Sequence, residues 1–250
     1  MHRQDDLIDT TEMYLRCVLE LEEDGVIPLR ARIADRLGQS FPTVSQTVAR
    51  MQRDGLVTVT GDRTIELTPP GRSAAIRVMR KHRLAECLLA GVLGLDWELV
   101  HDEACRWEHV MSDAVERRVL DILGHPAQSP YGNPIPGVSE LGDDETGGSP
   151  QAAMALSDMP PAITDVVMCR LGEPVQSDTG LLTRLQQAGI RPGTPLTVTR
   201  TGSTIRIGTT GPGIEIGDTA AAHIFVTASE ETPSAARPGA RVPAAAGTSG

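Results

Sequence analysis

The sequence predicts a mainly α-helical protein with smaller β-sheet parts: an N-terminal winged helix-turn-helix, a helical middle domain and a C-terminal SH3-like small β-barrel. Three observations carry this prediction. Three helical patterns followed by a hairpin pattern occupy residues 1–72, helical periodicity continues over 73–123, and short β-like runs separated by Gly and Pro fill 162–227. A length of 250 residues suits two domains or three small ones.

The helical part of the first domain follows from capping and breaking residues. Residues 7–23 have an amphipathic pattern that Asp24-Gly25 closes, and residues 28–37 form a second, shorter helix that ends before Gly38. Ser40 can cap a third helix that tolerates Pro42 in its first turn and runs to about residue 54. Two consecutive helices at this spacing are typical of a helix-turn-helix.

A hairpin completes the first domain. Residues 56–60 and 64–68 alternate apolar and polar side chains on either side of Gly61-Asp62-Arg63. Pro69-Pro70-Gly71 is then expected to break the pattern before two or three helices begin at residue 73. This hairpin is the predicted wing.

The remaining boundaries come from composition. The helical domain is assigned to residues 73–140 and a flexible linker to 141–161, because Pro, Gly, Ser and acids dominate from 126 to 161. The SH3-like domain covers 162–227, and the Ala/Pro/Ser/Gly-rich residues 228–250 are expected to be disordered. Within the SH3-like domain we expect strands at 165–171, 196–200, 204–207, 214–216 and 223–226, and a helix at 181–188.

Charge is distributed unevenly along the chain. The net charge of −10 argues against general nucleic-acid affinity, but residues 28–82 hold ten Lys and Arg against four acids. A basic DNA-facing module on an otherwise acidic molecule explains this segregation. The sequence has no apolar run of membrane-spanning length and no CxxC pair among its four cysteines, so we expect a cytoplasmic protein with free thiols and no membrane partner.

Metal-ligating side chains concentrate between residues 82 and 109. Two His/Glu or His/Cys pairs four residues apart lie on successive predicted helices, so each pair shares one helix face. Imidazole and thiolate suit a borderline transition ion, and carboxylates neutralise its charge. The cluster comprises His82, Glu86, His101, Cys105, Glu108 and His109. Taken one at a time, each residue is more often a surface or core residue, but the set favours metal binding.

The third helix carries the predicted DNA-reading residues. Its N-terminal side chains Pro42, Thr43 and Gln46 would face base edges in the major groove, with Ser40 near phosphate. Four basic residues are candidate phosphate contacts: Arg30, Arg50, Arg53 and the wing residue Arg63. The plainer interpretation is a helical bundle with ordinary solvated arginines.

Four long sequence words resemble the diphtheria-toxin-repressor family of iron-dependent transcriptional repressors. They are DTTEMYL at 9–15, PLRARIA at 28–34, PTVSQTVAR at 42–50 and HDEACRWEHVMSD at 101–113. The resemblance runs from about residue 7 to 137 and continues weakly through the predicted barrel. It implies a homodimer that binds double-stranded operator DNA, with the helical domain providing dimerisation.

The resemblance also implies two Fe(II) ions per subunit, with Mn(II), Co(II), Ni(II) or Zn(II) as possible substitutes. The implied primary ligands are Met13, Cys105, Glu108 and His109. The implied ancillary ligands are His82, Glu86 and His101, with Glu173 and Gln176 from the barrel. The resemblance further implies an anion pocket of Arg83, Ser129 and Asn133, and a proline-rich segment at 129–137 on which the barrel can dock.

The resulting hypothesis is an Fe(II)-activated repressor of iron-uptake and iron-homeostasis genes, without enzyme activity or a small-molecule substrate. A manganese-responsive repressor is the nearest alternative, but a thioether and a thiolate at Met13 and Cys105 favour softer ions. A metalloenzyme is less favoured, because catalysis needs an open coordination position. Phe41 departs from the small residue usual in the family beside the DNA-reading residues.

Overall fold

The computed structural model describes residues 9–142, 153–202, 204–209 and 213–229. The predictions for residues 7–8, for 143–152 of the linker and for the tail from 230 onward lie outside these described residues. None of the described helices is long and apolar enough to cross a membrane.

The N-terminal domain has the predicted order of helices and strands. Helix α1 spans Thr10–Glu23, α2 spans Arg30–Leu37 and α3 spans Phe41–Arg53, and β1 (Val57–Val59) pairs antiparallel with β2 (Ile65–Leu67). The predicted caps are present, since the Ser40 side chain accepts a hydrogen bond from Thr43 N and Gly38 ends α2 in the left-handed conformation.

Helix α2 starts later than predicted. The Pro28 carbonyl accepts a hydrogen bond from Ile65 N of β2 at 2.9 Å, and Leu29 has extended backbone angles. Pairing with the hairpin therefore holds this entry segment out of the helix. The three helices and the hairpin enclose one core, which includes Tyr14, Leu15, Val18, Ile33, Val44, Val48, Met51, Val57 and Ile65.

Three helices follow the hairpin: α4 (Pro69–Gly91), α5 (Trp97–Trp107) and α6 (Asp113–Leu123). The expected break at Pro69-Pro70-Gly71 is wrong, because these residues form the first turn of α4. The Thr68 side chain caps that turn by accepting from Gly71 N, and prolines in a first turn sacrifice no helical hydrogen bond. Gly71 has no room for a side chain, since a Cβ there would lie 1.9 Å from the Leu56 carbonyl oxygen.

The C-terminal domain is a six-stranded antiparallel sheet in the order β3-β8-β4-β5-β6-β7. Its strands are β3 (Met154–Ala155), β4 (Asp165–Leu171), β5 (Pro195–Thr201), β6 (Thr204–Gly208), β7 (Ile214–Ile216) and β8 (Ile224–Ala228). Three helices accompany them: α7 (Glu173–Gln176), α8 (Thr179–Gln187) and α9 (Asp218–Ala221). Strand β3 lies inside the range predicted as linker, where two residues are too few to give an alternating pattern.

A segment between α6 and the sheet joins the C-terminal domain to the helical domain. Leu171 N of β4 donates to the Tyr131 carbonyl at 2.9 Å, and Asn133 Nδ2 donates to the Leu171 carbonyl at 2.9 Å. Gly132 is required at this contact, because a Cβ there would lie 2.0 Å from the Cys169 carbonyl oxygen. Tyr131 continues inward and packs against Trp97 of α5. The sheet thus comes to lie beside α5.

Candidate metal centre

The packing of α4 against α5 brings the two sequence pairs together. His82 and Glu86 lie on α4, His101 and Cys105 lie on α5, and Glu108 caps the C-terminus of α5. The side chains are enclosed, with relative exposures of 3% for His82, 1% for Glu86, 2% for His101 and 2% for Glu108. Polar groups as buried as these require partners, and here they partner one another.

Three ligand atoms form the tightest group. One donor atom from each of His82, His101 and Cys105 lies within 4.8 Å of the others. The resemblance placed Cys105 in one site and the two histidines in another. In this structure the ligands on α4 and α5 from the two sets, without Met13, form one continuous cluster, because His101 and Cys105 are four residues apart on α5 and their Nε2 and Sγ atoms are 3.5 Å apart.

His82 stands between two carboxylates. Its Nε2 lies 2.8 Å from Glu86 Oε1 and its Nδ1 lies 2.6 Å from Glu108 Oε2. Burial disfavours the charged imidazole, but Glu86 and Glu108 outweigh it and hold the pKa of His82 well above its ordinary value. Conversely, His82 and His101 help to hold the pKa of Glu86 below its ordinary value despite burial. The imidazole of His82 and the carboxylate of Glu86 therefore each favour the charged form of the other.

His109 is oriented by a residue that sequence reasoning missed. Its Nδ1 lies 2.8 Å from Glu12 Oε2 on α1, and its Nε2 lies 3.2 Å from Glu108 Oε1. Burial opposes protonation, but the two carboxylates raise the pKa of His109 to about 9. A carboxylate on one ring nitrogen fixes the orientation of a metal-ligating histidine, and Glu12 is placed for that role.

Cys105 is placed to act as a thiolate. Burial alone would raise the pKa of its thiol, but the Arg16 guanidinium and His101 hold that pKa well below its ordinary value. Arg16 Nη1 and Nη2 lie 3.5 and 3.6 Å from Cys105 Sγ. A thiolate is the form of cysteine that ligates metal.

Arg16 is the main surprise of the centre. It lies one turn after Met13 on α1, is 5% exposed, and contacts ligands assigned to both implied sites. Its Nη1 lies 2.5 Å from Glu108 Oε2 and 2.8 Å from His82 Nδ1. An arginine in an amphipathic helix is usually solvated, so no pattern in the sequence indicated this burial. Met13 itself is half-buried and packs against the N-terminal core.

The C-terminal domain contributes one side chain to the cluster. Glu173 Oε1 lies 2.6 Å from Arg16 Nη2 and 3.5 Å from His101 Nε2. Gln176 instead donates its amide nitrogen to the Leu171 carbonyl at 2.6 Å, which leaves its amide oxygen as the possible ligand. Both line a cavity of about 20 Å³ together with His82 and Glu86. That volume accommodates one water molecule or one ion.

The residues present fit a divalent transition ion. They supply imidazole, thiolate and carboxylate donors, the mixture that such ions prefer. Glu86 Oε2 is buried and has no hydrogen-bond partner among the described residues. A buried carboxylate oxygen without a partner is costly, and a bound cation would satisfy it.

The three residues of the implied anion pocket are engaged within the protein. Arg83 pairs with Glu23 and donates to the Pro134 carbonyl at 2.5 Å. Ser129 Oγ accepts from Tyr131 N at 3.2 Å, and Asn133 donates to Leu171 as described above. Glu23 thus supplies the negative charge beside Arg83. The anion pocket stays a prediction.

Most of the predicted DNA-binding residues are exposed side chains of the N-terminal domain. Pro42, Thr43 and Gln46 are exposed along the first turns of α3, and Ser40 is its N-cap. Arg50 and Arg53 are exposed farther along α3, Arg30 is half-buried at the start of α2, and Arg63 is exposed in the wing turn with φ of 70°. Phe41 is 56% exposed beside the reading residues.

Comparison with known proteins identifies the family. Residues 6–65 match the model for the iron dependent repressor N-terminal DNA binding domain, and residues 68–137 match its metal binding and dimerisation domain. Residues 154–228 match the FeoA domain. The iron-dependent repressor IdeR of Mycobacterium tuberculosis is 58% identical over 198 residues, which cover 78% of this chain and 86% of IdeR. The chain belongs to the iron-dependent repressor family.

Other members of the iron-dependent repressor family agree in sequence and fold. The diphtheria toxin repressor of Corynebacterium diphtheriae is 54% identical over 193 residues, covering 77% of this chain and 85% of that protein. The solved structure of T. acidophilum IdeR matches with a TM-score of 0.69 at 27% identity, covering 89% of this chain and 99% of that chain. A manganese-dependent transcriptional repressor in complex with manganese matches with a TM-score of 0.70 at 28% identity, covering 88% and 100%.

These matches decide two points for this repressor-family chain. The relatives and matched domains are DNA-binding transcriptional repressors and not enzymes, so the metalloenzyme alternative is set aside. The helical domain is the metal-binding and dimerisation domain of the family. Four large apolar side chains of this domain are exposed in the single chain, as is typical of a surface that another protein covers. They are Val92, Leu93, Val115 and Ile122.

Proposed function

We propose that this chain is a cytoplasmic Fe(II)-activated repressor that binds double-stranded operator DNA of iron-uptake and iron-homeostasis genes as a homodimer. One observation carries the proposal: a buried donor cluster joins α1 of the DNA-binding domain to α4 and α5 of the metal-binding domain. Arg16 and Glu12 of α1 contact Glu108 and His109 directly. The state of this cluster therefore bears on how the two domains are oriented.

We further propose that the cluster holds two ions per subunit, divided as the family resemblance implies. Met13, Cys105, Glu108 and His109 would hold the primary ion. His82, Glu86, His101 and Glu173 would hold the ancillary ion, with the Gln176 amide oxygen as a fifth donor. Each ion would supply positive charge at a point where α1 and the helical domain meet. Co(II), Ni(II) and Zn(II) are expected to substitute because the donor set is the same for all of them.

Orientation of the N-terminal domains explains how metal would control DNA binding. In a dimer, the two α3 helices must reach successive major grooves, about 34 Å apart. Side chains of α1 that hold the metal fix α3 as well, because α1 and α3 share the N-terminal core through residues such as Tyr14, Val18 and Val48. Metal affinity and operator affinity are then coupled, typically by about 1–3 kcal/mol, and the coupling is reciprocal.

The decisive experiment is an anaerobic titration of operator binding with Fe(II) and with Mn(II). We expect DNA binding to require metal and Fe(II) to act at the lower concentration. Cys105→Asp should move the preference toward Mn(II), because it replaces a soft donor with a hard one. Cys87→Ser is the matched control, since Cys87 is a half-buried thiol on α4 whose Sγ donates to the Gln128 carbonyl at 3.4 Å, outside the cluster.

The alternative of a manganese-responsive repressor rests on the carboxylates Glu86, Glu108 and Glu173, which are hard donors. The same titration separates the two functions. Activation by Mn(II) at a lower concentration than Fe(II) in the parent protein would favour the manganese sensor. Metal-independent operator binding would refute both.

The DNA interface has its own test. Gln46→Ala should lower specific affinity by about 1–3 kcal/mol and relax one base position per half-site. Arg53→Ala should weaken binding to all sequences and reduce the salt dependence. A binding-site selection with the Gln46→Ala protein that returns the parent consensus would show that Gln46 does not read a base.

A further inference from the structure

We propose that Arg16 is a built-in competing cation: in the metal-free protein its guanidinium partly neutralises the ligand cluster, and a metal ion must displace it from Glu108 and Cys105. The inference rests on the metal-dependent function proposed above. It assigns Arg16 a role in setting how much metal is needed for activation.

The guanidinium is paired with three of the proposed ligands at once. It reaches Glu108 Oε2 at 2.5 Å, Glu173 Oε1 at 2.6 Å and Cys105 Sγ at 3.5 Å. These three ligands come from α5, its C-cap and the C-terminal domain. His82 Nδ1 of α4 also lies 2.8 Å from Arg16 Nη1, but a protonated imidazole has no lone pair to accept from it. A simple salt bridge joins one cation to one carboxylate, whereas the Arg16 guanidinium lies among several ligands, as a metal ion would.

Arg16 and a metal ion would use the same atoms. Arg16 Nη1 donates to Glu108 Oε2, and both Nη atoms donate to Cys105 Sγ, so they use lone pairs that a metal ion would need. A metal ion would lie about 2.0–2.3 Å from such donors, where it would also repel the permanent positive charge of arginine. Simultaneous occupation by both cations is therefore disfavoured.

A second acceptor is in place for the displaced guanidinium. Arg16 Nε lies 3.1 Å from Glu20 Oε1, one turn farther along α1, in an ion-pair contact that is not a hydrogen bond. The other oxygen, Glu20 Oε2, is buried and has no hydrogen-bond partner among the described residues. Glu20 can thus keep Arg16 paired after Glu108 and Cys105 are released, so displacement does not leave a buried charge unpaired.

Competition has two consequences for the repressor. Without metal, Arg16 holds α1, α5 and Glu173 of the C-terminal domain together, so the donor set is assembled before the metal arrives. With metal, part of the binding free energy is used to move Arg16. The metal concentration for half-maximal binding is then higher than the donor set alone would give.

The test measures metal binding and metal-free stability, without DNA. Anaerobic Co(II) titration against a competing chelator gives the dissociation constant, and thermal unfolding without metal gives the stability. Arg16→Met should melt at a lower temperature without metal and bind Co(II) about tenfold or more tightly, because one unit of competing charge is gone. Arg16→Lys should show a smaller increase in affinity, since an ammonium cannot contact Glu108 and Glu173 together.

Arg72→Met is the matched control. Arg72 also joins α4 to α1, through Glu22 at 2.8 Å, but its side chain is 45% exposed and remote from the cluster. It should leave Co(II) affinity unchanged. Equal or weaker Co(II) binding by folded Arg16→Met would overturn the inference. If Arg16→Met does not fold, Arg16→Lys decides, and unchanged or weaker binding overturns it. Failure of the parent to bind Co(II) would refute the proposed function itself.

Discussion

Two buried arginines, Arg80 and Arg16, differ in the negative charge that surrounds them. Arg80 on α4 is 2% exposed, with Nε 2.7 Å from Glu116 Oε1 and Nη1 2.6 Å from the Gly137 carbonyl. Its remaining carboxylate partner, Glu140 at 2.9 Å, is 42% exposed. One buried positive charge faces one buried negative charge, so the pair is balanced in charge and structural, although Glu116 Oε2 has no hydrogen-bond partner among the described residues.

Arg16 faces a different balance. Three carboxylates contact it, from buried Glu20 and Glu108 and from Glu173, whose side chain is 13% exposed, together with the sulfur of Cys105. A single guanidinium cannot neutralise that set, although His82, His101 and Arg36, whose Nη1 lies 3.8 Å from Glu173 Oε2, supply part of the charge. Surplus negative charge around the arginine, rather than burial itself, therefore distinguishes a cation site from a structural ion pair.

Breaking the Arg80–Glu116 ion pair should lower the free energy of unfolding more than any other change proposed below. Arg80→Met leaves Glu116 buried without its cation, which should cost about 3–5 kcal/mol in the free energy of unfolding. Urea denaturation of the metal-free protein measures it. The loss should be the same when Co(II) is present, because the pair is not part of the cluster.

A double variant sharpens this prediction. Arg80→Met with Glu116→Leu removes both charges and should recover most of the lost stability, since an apolar pair of similar volume often replaces a buried ion pair without cost. Stability that stays as low in the double variant as in the single one would mean that Arg80 acts mainly through its bond to Gly137.

The second prediction compares one carboxylate from each site. Glu108→Gln should lower Co(II) affinity by about 10- to 100-fold or more, the loss seen even for the outer partners of metal ligands. It should also lower metal-free stability, because Glu108 is buried and paired with Arg16, His82 and His109. Glu116→Gln should lower metal-free stability but leave Co(II) affinity unchanged. Chelator competition and urea denaturation on both variants check the pattern, and a loss of Co(II) affinity shared equally by both would erase the distinction.

Helical spacing predicted which ligands lie together on one helix, but not which residues of other helices contact them. The intervals His82-x3-Glu86 and His101-x3-Cys105 place each pair on one face of a helix whatever the tertiary structure, so these pairs could be found from sequence. Arg16 and Glu12 could not. The burial of Arg16 depends on how α1 packs against α4 and on Glu173, which is 157 residues from Arg16 in the chain, and the role of Glu12 depends on its contact with His109.

The fold could likewise be predicted where the signals are local, but not where it depends on distant parts of the chain. The helix-turn-helix and its wing have strong local signals in Ser40, Gly38 and the Gly61–Arg63 turn, and the structure confirms that order of elements. Pro69-Pro70 reads as a break or as a helix start, and only the side-chain cap from Thr68 decides between them. Strand β3 exists because β8 offers it an edge, which its own two residues do not reveal.

The third prediction concerns how the C-terminal domain joins the cluster. Glu173→Ala removes an ion pair with Arg16 and a proposed ligand, so the Co(II) midpoint should rise by about 3- to 10-fold. Gln176→Ala should have a smaller effect, because its amide nitrogen already bonds to the Leu171 carbonyl within its own domain. A larger effect for Gln176→Ala in the same titration would show that its amide oxygen is the stronger ligand.

The smallest expected change in stability comes from the ion cluster around Asp24, which, like the Arg80–Glu116 pair, is structural. Asp24 Oδ1 lies 3.0 Å from Arg170 Nη1 of β4, and its Oδ2 lies 3.3 Å from His223 Nδ1 and 3.4 Å from Arg36 Nη2. Burial would raise the pKa of Asp24, but hydrogen bonds from His223 and Arg170 outweigh it and the pKa is lowered. The cluster fastens the C-terminal domain to the end of α1.

The sign of its pH dependence follows from that lowered pKa. Because Asp24 is a stronger acid folded than unfolded, its contribution is fully present above about pH 3.9, the ordinary Asp value, and is lost as pH falls through the lowered value. Asp24→Asn should therefore cost about 1 kcal/mol at pH 7, and the difference from the parent should shrink below pH 4. Urea denaturation at both pH values measures this, with Asp35→Asn, an exposed carboxylate on α2, as the control for lost charge. A difference that persisted unchanged at pH 3 would mean that Asp24 stabilises the contact by packing and not by charge, unlike either arginine site.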